Sequence, residues 1–223
     1  MNLIIGDSHS NNILFNNSKH LLCSAGSAKG LNNINSISQY NKLIINDIKQ
    51  LKCAKLFFLF GGVDVDFGFI HKYLNNQKID YKEFNLDVIN NYLEFIKNNC
   101  YDISVTILSV GLPCLDDSNL KSGLLNGHVN CLENQDINIL KQKLLSCKLP
   151  DIYKRTKITL NFNKKLKKEI IKMNNPNLKY LDITSFTYDY KLKRIKDKYF
   201  TRSDHHNFAR NIRFNKIINN HCK

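Results

Sequence analysis

The chain has 223 residues, of which 43% are hydrophobic and 23% charged, a balance that suits a globular protein with a sizeable core and excludes a disordered chain. The formal net charge of +14 raises nucleic acid, an anionic membrane or an acidic glycan as partners. Lys is spread along the whole chain and no nucleic-acid motif accompanies it. The densest cluster, Lys164, Lys165, Lys167 and Lys168, reads as the solvated face of a helix before it reads as an anion-attracting patch.

No apolar run approaches the length of a membrane span. Leu3 to Ile5 is too short for the apolar region of a secretory signal, and a soluble, cytoplasmic protein is expected. The seven cysteines, at 23, 53, 100, 114, 131, 147 and 222, are odd in number and form no Cys-x-x-Cys pair. They read as free thiols of a reducing compartment, not as a disulfide or zinc framework. No metal or cofactor is expected.

In chain order, Leu3-Ile4-Ile5 predicts a first strand ending at Gly6, and His20 to Cys23 a short second one. Apolar residues from Ile34 to Leu51 recur at helical spacing and predict a helix over 35–51. Leu56 to Phe60, apolar on both faces and stopped by Gly61-Gly62, suits a central parallel strand. A helix over about 80–99 precedes the β-branched strand Ile103 to Leu108. Residues 114–150 are the least patterned and read as an insertion, with a possible helix from Ile137 to Leu145. A helix from Tyr153 to Met173, a last strand from Leu178 to Ile183 and a closing helix over 207–220 follow.

Strands alternating with helices predict a single α/β domain over 1–223, a three-layer α/β/α sandwich of flavodoxin-like type with a mainly parallel sheet of about five strands. Ligand sites in such folds lie beyond the carboxyl ends of the strands. Functional residues are therefore expected just after Ile5, Phe60, Val110 and Ile183.

Gly6-Asp7-Ser8-His9-Ser10 falls at the first of these places. A serine hydroxyl there becomes a nucleophile if a base takes its proton; otherwise Asp7 or Ser8 simply caps a helix. Ser203-Asp204-His205-His206-Asn207 lies between the last strand and the closing helix, where it can supply a base and an orienting carboxylate. Without an accompanying His-x-x-x-His or carboxylate cluster, the paired histidines do not argue for a metal. His9 reads as either a cleft-lining or a turn-capping residue, and His128 as a surface residue.

Together these segments resemble the SGNH/GDSL-like hydrolases. Gly6-Asp7-Ser8-His9-Ser10 is similar to the first block, whose Ser is the nucleophile. The segment from Ala25 to Leu31 resembles the second, whose Gly, here Gly26, donates an amide to the oxyanion. Phe60-Gly61-Gly62-Val63-Asp64 resembles the third, and Asp204-His205-His206 the block carrying acid and base. The blocks occur in family order over nearly the whole chain. Asn161-Phe162-Asn163 also resembles a segment found before the last strand in these proteins, and a packing role is expected for it.

Two departures stand out. The third block of well-known members reads Gly-x-Asn-Asp, with the Asn as an oxyanion donor; Val63 stands there in this chain. The Gly-x-Val-Asp form resembles a branch associated with glycan modification. The usual Asp-x-x-His spacing is also shortened, since Asp204 precedes His205 by one residue and His206 by two.

The resemblance implies a serine esterase cleaving small acyl esters, including O-acetyl groups on carbohydrate. Ser8, His206 and Asp204 would form the triad, His205 being the competing base. Gly26, Gly61 and Asp64 would line the oxyanion and substrate site, and Asp64 would either fix its loop or meet substrate. The alternatives are acyl transfer to a glycan by the same residues, or a binding protein of the same fold with a decayed site.

Overall fold

The computed structural model describes residues 2–13, 18–36, 38–51, 55–74, 80–127 and 137–200. Strands β1 (Asn2–Gly6), β2 (Ser18–Leu22), β3 (Lys55–Leu59), β4 (Val105–Leu108) and β5 (Leu178–Leu181) form one parallel sheet in the order β2-β1-β3-β4-β5. Gly6 stands opposite Leu22 on one side and Leu59 on the other, which aligns the carboxyl ends of the three strands. The fold is α/β, a five-stranded parallel sheet flanked by helices, as the alternating pattern predicts.

The period of two along β3 shows why the sheet is covered on both faces. Leu56 and Phe58 enter one apolar cluster and Phe57 and Leu59 the other, all at most 2% exposed. The larger cluster takes Ile44 and Ile48 from α1 (Tyr40–Leu51), Val88 and Tyr92 from α3 (Tyr81–Cys100), and Phe162 and Leu166 from α6 (Ile152–Lys172). Both long helices begin at an aspartate cap: Asp80 accepts from Lys82 N–H (2.7 Å) and Asp151 from Lys154 N–H (2.8 Å). The smaller cluster joins Ile4, Phe57, Leu59 and Leu108 to Ile13 and Ile183.

Several elements differ from the sequence reading. β2 starts two residues earlier than expected, and α1 begins at Tyr40 because Ser36 to Gln39 close into a turn, with Gln39 at φ +50°. A π-helical stretch, Val63–Gly68, runs into α2 (Phe69–Leu74). The segment read as irregular carries α4 (Leu120–Gly127), while α5 (Ile137–Ser146) falls where a helix from Ile137 to Leu145 is expected. After β5, the short α7 (Thr184–Thr187) leads into the hairpin β6 (Tyr188–Asp189) and β7 (Arg194–Ile195). Lys164, Lys167 and Lys168 are exposed on α6, the solvated face expected. The expected closing helix lies outside the described residues. Among the described residues no helix is long and apolar enough to cross a membrane.

The turn after β3 depends on Gly61. Its φ is +108°, and a Cβ there would lie 2.9 Å from Val110 Cγ2 and 3.1 Å from the Phe162 ring. Gly61→Ala should therefore lower stability by about 2–4 kcal/mol, through backbone strain and overpacking together. Urea unfolding measures this, and a change below about 0.5 kcal/mol would show that the turn does not constrain the residue.

Candidate active site

Strand order 2-1-3-4-5 places a topological switch point between β1 and β3. From β1 the chain moves outward to β2, then returns to β3 on the other side, and the connections leave a crevice at the carboxyl ends of this pair. Two of the sequence blocks fall there: Asp7 and Ser8 directly follow β1, and Gly61 to Asp64 follow β3 after Phe60.

The nucleophile candidate sits in a stiff turn. Asp7 N–H continues the sheet by donating to Leu59 O (3.1 Å), and Cys23 N–H donates to Gly6 O (2.8 Å). Ser8 then opens a 3-10 helix, Ser8–Asn12, capped by Asp7, whose Oδ1 accepts from His9 N–H at 2.9 Å. Ser8 Oγ is buried and meets no hydrogen-bond partner among the described residues. Asp204, His205 and His206 lie outside those residues, as does His128.

Ser10 is a second serine beside a histidine, and its geometry is of another kind. Its hydroxyl donates to Asp7 O (2.7 Å) and lies 2.8 Å from His20 Nε2. With its proton on Asp7 O, Ser10 Oγ accepts from His20, whose pKa burial lowers, favouring the neutral ring. Ser10 is fully buried, so this pair holds the turn to β2. Cys23 offers no rival nucleophile either: burial, aided by the charges of Asp7 and Asp47, pushes its thiol up to about 12.

The second block folds as a turn from Cys23 to Gly26, with Ala25 at φ +56°. Gly26 N–H closes it by donating to Cys23 O at 2.8 Å. The amide expected to serve an oxyanion is therefore engaged within its own turn.

Asp64 fixes the continuation of this loop. Its Oδ2 accepts from Ala28 N–H (2.7 Å) and its Oδ1 from Lys29 N–H (3.4 Å), across 36 and 35 residues. These two bonds tie the Asp64 carboxyl to the loop after Gly26. Lys29 Nζ also pairs with Asp87 of α3. Burial is the main cause that raises the Asp64 pKa to about 7; the two amides oppose it and Asp7 adds to it.

That shift carries a sign. With a folded value of about 7 against an ordinary 3.8, the folded state holds the extra proton between these pH values, so this group's contribution to stability falls as pH rises through the window. Asp64→Asn removes the titration. Its stability relative to wild type, read from urea midpoints, should become more favourable from pH 4.5 to 7.5. A difference independent of pH would contradict the assignment.

Asp7 and His9, read from the sequence as a cap and as a cleft-lining or turn-capping residue, cluster with Asp66, which escaped that reading. Asp7 Oδ1 lies 3.0 Å from His9 Nδ1, and His9 Nε2 lies 3.9 Å from Asp66 Oδ2. The His9 ring rests on Gly62, where a Cβ would come within 2.4 Å of Nδ1; only glycine permits this approach. Burial raises the Asp66 pKa, opposed by its interactions with His9 and Arg155. Arg155, buried on α6, donates to Leu115 O (2.9 Å) and Asp117 Oδ1 (2.8 Å), tying the segment after β4 to the helix. Asn163 does the same about two turns further along α6, accepting from Val110 N–H and donating to Val110 O, both at 2.8 Å. The signal for Asp66 was Asp64-Val65-Asp66 directly after the Gly-Gly turn.

No family model matches the chain, and no curated protein matches it. Solved structures do. An acetyl esterase, crystallised as a serine-to-alanine mutant with acetate ion, superposes with a TM-score of 0.53 at 10% identity, covering 100% of this chain and 96% of that one. A candidate acylhydrolase from Bacteroides fragilis NCTC 9343 gives 0.52 at 11% identity over 98% and 82% of the two chains. A candidate platelet activating factor from Streptococcus pneumoniae gives 0.52 at 11% over 100% and 83%. The chain shares the fold of these solved structures.

Proposed function

We propose that this chain is a serine-dependent hydrolase of small acyl esters with Ser8 as its nucleophile. The observation that carries the reading is the place of Ser8: it follows β1 at the switch point, with a hydroxyl that bonds to no described residue. The surrounding hydroxyl and thiol groups, Ser10 and Cys23, are occupied or protonated. The fold shared with an acetyl esterase is compatible with this chemistry and does not by itself assign it.

In this reading His206 takes the Ser8 proton as Oγ attacks the ester carbonyl, and Asp204 orients the ring. The tetrahedral intermediate collapses, and the alcohol leaves with the proton returned by His206. Water, deprotonated by the same ring, then attacks the acyl-enzyme and releases the acid. Ser8 N–H is one oxyanion donor. Gly26 N–H is the second only if it shares or breaks its 2.8 Å bond to Cys23 O. The proposed substrates are small acyl esters such as O-acetyl groups on carbohydrate.

A fluorophosphonate probe tests the assignment. The expected result is covalent labelling of the wild-type chain at Ser8 and none in Ser8→Ala. Labelling that persists in Ser8→Ala would move the nucleophile elsewhere.

A further inference from the structure

Around Ser8 most of the backbone donors are already committed. His9 N–H serves Asp7 Oδ1, Ser10 N–H serves Asp7 O, Gly26 N–H serves Cys23 O, and Ala28 N–H serves Asp64. Val63 adds only an apolar side chain. Meanwhile Asp7, fully buried and adjacent to Ser8, projects negative charge through the site: it contributes to the raised pKa of Cys23, Asp64, Asp66 and Tyr92. An oxyanion on the ester carbonyl at Ser8 would meet the same repulsion.

His9 is placed to offset it. Its two ring nitrogens lie toward two carboxylates, Nδ1 at 3.0 Å from Asp7 and Nε2 at 3.9 Å from Asp66. A neutral imidazole carries one N–H and would turn a lone pair toward one of them; an imidazolium carries two. The ring side chain is 6% exposed, so water cannot readily replace either partner. The ring lies against Gly62, whose missing Cβ leaves room for it there. Asp66, on the helix after β3, shares a small cavity with Arg155 of α6, whose charge opposes the burial that raises the Asp66 pKa.

We propose that His9 is held as an imidazolium counter-ion between Asp7 and Asp66, and that its charge lets negative charge develop at Ser8. His9 is then a positioning residue, acting through the field of Asp7 and not by touching substrate. The catalytic half of the proposal rests on the ester-cleaving reading above; the charge state of the ring does not.

Two measurements test it on the intact chain. In nitrogen-15 NMR, one histidine, identified by its loss in His9→Gln, should keep imidazolium shifts from pH 6 to 8. Neutral-imidazole shifts for that ring at pH 7 would overturn the proposal, with His9→Asn giving the assignment if His9→Gln fails to fold. In turnover of a neutral acetyl ester, His9→Gln should lower kcat about 10- to 100-fold with KM within about twofold. Adding Asp7→Asn, which keeps the helix cap and removes the uncompensated charge, should restore kcat at least about tenfold over His9→Gln alone. A double variant no faster than His9→Gln would reduce His9 to packing and overturn the electrostatic role. If wild type neither turns over esters nor labels at Ser8, the ester-cleaving reading fails instead, and the ring shifts alone decide the counter-ion.

Discussion

Ser8→Ala should lower ester turnover by about 10,000-fold or more while leaving the melting temperature within a few degrees of wild type. The first half follows from chemistry. Without Oγ no acyl-enzyme forms, and the residual rate comes only from binding and the polar surroundings, which in related triads leaves a small fraction of the activity. The second half follows from the structure. Ser8 Oγ bonds to no described residue, so its removal breaks no hydrogen bond seen in the turn. The bonds that build the turn, from Asp7 N–H to Leu59 O and from His9 N–H to Asp7 Oδ1, run through the backbone and the Asp7 carboxylate. The check is a thermal melt beside a turnover assay with a chromogenic acetyl ester. Turnover within tenfold of wild type would end the role of Ser8; a large loss of melting temperature would make the turn, not the hydroxyl, the cause.

The strands could be read from the sequence because parallel strands write their burial into continuous apolar runs. Leu56 to Leu59 fill both faces of the sheet, and no helical or surface segment needs such a run. β2 was harder to delimit because an edge strand is half solvated, and its Lys19 pairs outward with Asp47 at 3.2 Å. The helix after β3 was missed for a different reason. Val63-Asp64-Val65-Asp66 alternates like a strand, and its π-helical turn obscures the 3.6-residue period. α4 was hidden because its buried Leu120 and Leu124 are set among Asn, Ser and Gly.

The site divides along the same line. Ser8, Gly26, Gly61 and Asp64 could be picked out because local motifs mark strand ends. What each side chain does depends on partners far away in sequence. Asp64 reaches a loop 36 residues back, and His9 meets Asp66 only after β3 has been laid beside β1. The engagement of the Gly26 amide by Cys23 O is local, yet it depends on Ala25 taking a positive φ, which an alanine does not announce.

His206→Ala should abolish turnover by several orders of magnitude, whereas His205→Ala should leave most of it. The argument starts from what a base must do: one ring nitrogen faces Ser8 Oγ, and the other needs a partner that fixes the tautomer. The buried candidates for that base near Ser8 are otherwise employed. His9 is bracketed by Asp7 and Asp66, and His20 is bound to Ser10. We propose that the base comes from Asp204-His205-His206, the segment that the resemblance to the acid-and-base block implies. Adjacent side chains leave the backbone in different directions, so one ring faces the serine. With His206, the chain has one residue, His205, in which to bend Asp204 back toward the ring; with His205 it has none. Loss of the base removes the activation of Ser8, and serine and base removals are comparably severe because they act as one unit. Loss of the bystander removes a side chain that neither moves a proton nor holds one. The measurement is kcat for both alanine variants, with circular dichroism confirming that each is folded. If His205→Ala abolishes turnover and His206→Ala keeps it, the motif is offset by one residue; if both keep near-full activity, Ser8 draws its activation from elsewhere and the triad is wrong.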